Sequence, residues 1–203
     1  MSKRTLLLAG AAVLAAPAVI TAPRSASERP ASTVEEIVET CRRSGRQGWE
    51  LVDEATRAVH AAYTHHSLWH LWETPQVSLQ RGRGWSAQYN GALAQVLARL
   101  GFEVHEVHAS RVRGLGRNPW WQAGHTWLRV THEGRTLDVS ASSAQNEAGK
   151  VNFVPTTVVR PTRRWTRSAV SAALAPVVAV QAWRQLRGAE VPRWLYREFD
   201  EPL

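Results

Sequence analysis

Arg83-Gly84-Trp85-Ser86-Ala87-Gln88-Tyr89-Asn90-Gly91-Ala92-Leu93, running on to Leu100-Gly101-Phe102-Glu103-Val104, is the stretch on which the fold turns. Arg81-Gly82-Arg83-Gly84 reads as a glycine-rich loop. Ser86 to Leu100 is the strongest helix of the chain, because Leu93, Val96, Leu97 and Leu100 share one face and Gly101 closes it. Phe102 to Val112 then alternates apolar and polar residues as a strand does. A serine at the head of such a helix has two readings. It is a favoured N-cap. It is also a hydroxyl placed at the positive end of the helix dipole, where unpaired backbone N–H groups can receive a developing oxyanion.

Downstream, Arg113 to Gly124 reads as a loop carrying Trp120-Trp121. His125 to Thr131 and Arg135 to Ser140 read as antiparallel strands around Glu133-Gly134. Ser86, His125 and Asp138 then stand in the roles of nucleophile, base and orienting acid. Each has a plainer alternative. A histidine beside Trp127 in a strand is also a half-buried core residue. With a two-residue turn at Glu133-Gly134, Asp138 falls opposite Arg129 and ~13 Å along the face from His125, beyond hydrogen-bond reach. A bulge, or a turn at Thr131-His132, would bring the two together. Gln88 and Asn90 are expected near the mouth of the site, and Trp85, Trp120 and Trp121 as aromatic walls of a substrate cleft.

The segment from Arg83 to Phe102 resembles the nucleophile segment of the arylamine N-acetyltransferases, and Ala109-Ser110-Arg111-Val112-Arg113 resembles the stretch that follows it there. Gly124-His125-Thr126-Trp127 and Asp138-Val139 resemble the His and Asp motifs of that family and of the broader transglutaminase-like superfamily. The resemblance spans Arg81 to Val139, under a third of the 203 residues. It implies a cysteine-protease-like α+β fold, with N-terminal helices and the Ser86 helix packed on an antiparallel sheet. It also implies acyl-transfer or amide-processing chemistry at Ser86, His125 and Asp138, on a peptide, amine or cell-envelope substrate. Ser86 stands at the family's cysteine, and Cys41 lies far upstream in the first helix. A free thiol ionises near pH 8.5 and a histidine partner can lower that to roughly 3–4, a pre-ionisation closed to serine. The alternative is therefore a catalytically inactive member of the fold that binds a cell-envelope peptide or polymer.

The rest of the chain sets the context. Lys3 and Arg4 precede an apolar run from Thr5 to Ile20, the order of an export signal, or of an anchor if it is not cleaved. Residues 1–30 are thus expected to be signal or anchor plus linker, 31–160 the α+β domain, and 161–203 a basic, tryptophan-containing helical extension. Thr33 predicts an N-cap, with helices to Ser44–Gly45 and from Gln47 to His65. Gln76 to Gln80 reads as extended and Val151 to Val159 as a strand. Ala169 to Trp183, containing Pro176 and flanked by arginines, reads as a kinked or paired helix, packed on the domain or lying on anionic lipid. The net charge is +8, carried by 23 arginines and two lysines. Nucleic acid is not the expected partner, since an exported chain meets anionic lipids and wall polymers first. One cysteine excludes a disulfide framework, a zinc ribbon and an iron–sulfur site. His66 and His70 at i,i+4 invite a metal reading, but without an obvious third ligand beyond Glu73 no metal or other cofactor is expected.

Overall fold

Helix α1 (Val34–Arg43) starts where Thr33 and Glu36 cap it reciprocally. The Thr33 hydroxyl accepts from Glu36 N–H at 3.2 Å, and the Glu36 carboxylate accepts from Thr33 N–H at 2.8 Å. Val34, Ile37, Val38 and Cys41 recur at helical spacing and are buried. Helix α2 (Gly48–Ala62) presents Val52, Ala55 and Val59 to the same core. These residues belong to a computed structural model that describes residues 18–23, 32–115 and 121–199, with the backbone alone at 121–123, 164, 165 and 167. Apart from 18–23, the segment read as signal and linker lies outside the described residues.

Strand β1 (His65–Ser67) follows, then α3 (Pro75–Gln80), β2 (Arg83–Gly84) and α4 (Ser86–Arg99). The expected extended stretch at 76–80 is a helix instead. Thr74 caps it by accepting from Val77 N–H, and Pro75 opens it with a preset φ and no N–H to satisfy. Helix α4 is the axis of the molecule. Ser86 to Leu93 is buried without interruption, so the first two turns of this helix are enclosed on every side rather than amphipathic. The cost of that enclosure falls on its polar residues, which must find partners inside.

The larger sheet has the order β5 (Arg135–Val139), β4 (Trp121–His132), β3 (Glu103–Gly114), β6 (Phe153–Pro155), with β7 (Arg160–Pro161) also pairing with β3. Every pairing in it is antiparallel. Strands β3 and β4 run in constant register from Glu103 opposite Thr131 to Arg113 opposite Trp121, so they replace the loop expected at 113–124, of which residues 116–120 are not described. Glu133 and Gly134 form the β4–β5 turn with φ of 49° and 75°, the left-handed pair that a two-residue hairpin needs. Leu128, Val130 and Val139 face the helices. Val107, Ala109, Val112 and Trp127 gather with Phe153 in a separate cluster.

The segment beyond 160 is knit into the domain. Helix α5 (Arg164–Leu186) continues across Pro176 and buries Val178 and Ala182 with Trp69, Trp85 and Leu195. Strand β8 (Tyr196–Glu198) pairs with β1, which pairs in parallel with β2, making a small second sheet, and Phe199 enters the main core. The architecture is mixed α+β, with helices packed on an antiparallel sheet.

Candidate functional site

Position 84 must be glycine. A Cβ there would collide with the Ser78 hydroxyl and come within 3.0 Å of Gln88 Oε1. The tight passage from β2 into α4 is thus a packing requirement. The N-cap is Trp85, not Ser86, and its N–H donates to Gln88 Oε1 at 3.1 Å. Ser86 is the first helical residue, wholly buried, and its hydroxyl oxygen accepts from Thr126 N–H at 3.3 Å. The serine therefore reaches β4, but at a backbone N–H one peptide past His125.

Strand parity explains why. Side chains alternate between sheet faces, and Leu128 and Val130 face α4, so Thr126 shares their side. His125 has the parity of Trp127. Its ring stacks on Trp127 with centroids 6.1 Å apart, and Phe153 meets it edge-on at 4.5 Å. Only 1% of His125 is exposed, and neither ring nitrogen has a hydrogen-bond partner among the described residues. Burial, reinforced by the nearby His108, lowers its pKa to about 3. This imidazole is neutral at physiological pH.

Asp138 is occupied elsewhere. It lies opposite Arg129, and Arg129 Nε donates to Asp138 Oδ1 at 3.3 Å. The two-residue turn fixes this register, so the acid takes the Arg129 pairing rather than orienting the histidine. Arg129 in turn lines a groove of about 870 Å³ beside β3, along with His105, Glu106, Thr131, Thr136 and Arg163.

Gln88 and Asn90 are not at a mouth. Gln88 Nε2 donates to the His70 and Glu73 carbonyls at 2.8 Å each and so pins the 70–73 turn onto α4. Asn90 Nδ2 donates to Thr126 O at 2.7 Å and to Ser140 Oγ at 3.3 Å, while Asn90 Oδ1 accepts from Ala141 N–H at 2.9 Å. The β4–β5 ladder stops at Leu128 opposite Val139. Continuing its register pairs Thr126 with Ala141, so the Asn90 amide supplies the next rung from outside the sheet. Trp85 is buried with Trp69 and Leu71 and cannot wall an open cleft. Trp120 lies outside the described residues, as does the Trp121 side chain.

Sequence reasoning missed a polar node beside the helix start. Glu73 Oε1 accepts from Arg81 Nη1 at 2.5 Å and from Arg83 Nη2 at 3.1 Å, with the Glu73 side chain only 4% exposed. His66 pairs with Gly84 of β2 and Arg197 of β8 and is buried. Its pKa is held well below the usual histidine value by burial, then by Arg197 and His125. His66 sits in a strand and His70 in a turn, where His70 Nδ1 bonds Ser67 Oγ at 2.8 Å, so the helical i,i+4 pairing does not exist. Burial, with Glu54 adding, pushes the Cys41 thiol up to about 11, and it remains a core residue. The chain matches no protein-family model and no curated protein.

Proposed function

We propose that this chain is a catalytically silent member of the transglutaminase-like and arylamine N-acetyltransferase-like architecture, serving as a cell-envelope binding protein. One observation carries the reading: the three groups of the expected relay each have a different engagement. Ser86 Oγ is held by the Thr126 N–H, His125 packs between Trp127 and Phe153, and Asp138 pairs with Arg129. A serine nucleophile needs a base aligned on its own proton. Here the hydroxyl accepts from the Thr126 N–H, and neither ring nitrogen of His125 has a hydrogen-bond partner among the described residues.

The ligand surface in this reading is the groove beside β3 rather than the buried helix start. Its volume falls within the few hundred to about 1,000 Å³ usual for ligand sites. Arginine, histidine, glutamate and threonine side chains line it, which suits an extended polar chain such as a wall peptide or polymer. Asp138 steadies Arg129 at that wall.

A fluorophosphonate probe tests the silent site, and no labelling of Ser86 is expected. Labelling abolished by Ser86→Ala overturns the proposal. Ser86→Cys asks the same question of the scaffold. Wholly buried at this position, its thiol is expected to ionise at or above the free value of about 8.5, and ionisation well below that value refutes the reading. Binding to purified wall peptides and polymers should weaken in Arg129→Ala and not in Ser86→Ala.

A further inference from the structure

Helix α5 carries no charged residue from Ser168 to Trp183. One face is accounted for, since Val178 and Ala182 are buried against Trp69 and Trp85. The opposite face is apolar as well: Val177, Val180, Trp183 and Leu186 are exposed, Val180 to 61%. A helix on a water-facing surface ordinarily turns charged residues outward, and a contiguous exposed apolar stripe marks a contact surface.

The amino-terminal apolar run ends at the same place. Ala18 is buried in the cluster that holds Val178 and Ala182, and Trp69 Nε1 donates to the Ala18 carbonyl at 2.7 Å. Arg83 Nη1 donates to the Pro23 carbonyl at 3.3 Å. The tail of the run is therefore part of the fold beside α5, and its next residues, Val19 and Ile20, are exposed, Ile20 to 72%. Thr5 to Pro23 carries no charge.

Charge identifies the occupant. Between Glu147 and Glu190 the chain has no acidic residue, but it has Lys150, Arg160, Arg163, Arg164, Arg167, Arg184 and Arg187. Arginines stand at both ends of the apolar stretch. A second copy docking by the same face would set arginine against arginine in an isologous contact, whereas phosphate headgroups would neutralise them. The uncharged stretch is about 24 Å long at 1.5 Å per residue, short of the ~30 Å hydrocarbon core. Among the described residues no helix is long and apolar enough to cross a membrane. The geometry points to a helix lying on the bilayer: we propose that the outer face of α5, beside the exposed Val19 and Ile20, docks on an anionic lipid surface. This surface is independent of whether the Ser86 site is silent.

The test uses the full chain bound to phosphatidylcholine–phosphatidylglycerol vesicles, with a nitroxide at Val180→Cys and a control nitroxide at the exposed Glu147→Cys. The native Cys41, wholly buried, takes no label. At position 180 the ratio of oxygen to nickel-chelate accessibility should rise about tenfold over position 147, as expected for a residue at the headgroup–acyl boundary. In pure phosphatidylcholine, or at high salt, that rise should shrink. Equal accessibility at 180 and 147 in the anionic vesicles overturns the proposal. So does shielding of 180 from both reagents, which would mean a protein covers it, and so does an equal rise in neutral lipid.

Discussion

Asn90 offers the sharpest check on the account of α4, because its expected place at a site mouth and its structural role predict different things. Asn90→Ala removes an amide that is wholly buried. The substitution leaves Thr126 O and Ala141 N–H, which the amide had satisfied at 2.7 and 2.9 Å, without that partner in the interior. Ser140 Oγ is less affected, since it retains its bond to Ser142 Oγ at 3.0 Å. An orphaned buried backbone group costs about 1–3 kcal/mol, so the variant should lose about 3–4 kcal/mol of stability. Urea denaturation followed by tryptophan fluorescence reads this as a drop in midpoint at unchanged slope. Asn90→Asp separates donor from acceptor. It can still accept from Ala141 N–H but sets an oxygen against the Thr126 carbonyl, so it should be no better than alanine and should worsen as the carboxyl ionises. A loss below about 1 kcal/mol in Asn90→Ala would refute the bridging role, because groups so buried cannot recover water as a partner cheaply.

Other consequences can be measured on the same equipment. Glu73→Gln should cost about 3 kcal/mol, because it strands the Arg83 guanidinium, whose side chain is only 13% exposed. Adding Arg83→Gln should restore part of that loss, and strictly additive losses in the double-mutant cycle would argue against the pair. Asp138→Asn removes an exposed pair with side chains 37% and 46% accessible, so its stability should change by no more than about 1 kcal/mol. Acid sensitivity follows from His70 and His125, both lowered to about 3 by burial, with arginines adding for His70 and His108 for His125. Above the unfolded value of about 6.5 both states are neutral and pH has no effect through these groups. Below it the unfolded chain binds protons the native one does not, so stability falls by about 1.4 kcal/mol per pH unit for each ring until about pH 3. His125→Phe should flatten that decline between pH 6 and 5, and an unchanged slope would mean the ring is not the buried neutral group described.

Much of the frame was legible because it rests on local signals. The Thr33 cap, the spacing of Val34, Ile37, Val38 and Cys41, the Leu93–Leu97 face and the Glu133-Gly134 turn are each decided by a few neighbouring residues. What escaped depends on contacts distant in sequence. Strand β8 is three residues long and exists because Tyr196–Glu198 finds β1 across the chain. The 75–80 segment looked extended because its few apolar residues show no clear period, yet Thr74 and Pro75 carried a capping signal. Gln88 and Asn90 looked like site residues because they lie within about a turn of Ser86, where an amide can hold an oxyanion or a substrate polar group. In the fully enclosed first turns of this helix the same amides become internal clamps.

The serine–histidine geometry shows how narrowly a relay depends on strand register. Motif order alone would set Ser86 and His125 face to face, but order does not fix which face of a strand a residue takes. From Glu103 to Arg113 the β3–β4 register is constant. Parity therefore propagates from the core-facing Leu128 and Val130 to Thr126, and from the outward cluster of Trp127 to His125. Moving one residue along a strand exchanges the two faces. The register keeps His125 on the face of Trp127 and gives Ser86 the Thr126 backbone N–H as its partner. The hydroxyl is then a useful partner for that N–H, in a place where an unpaired group would be costly. Strand and helix packing thus give the serine a role of its own at this position.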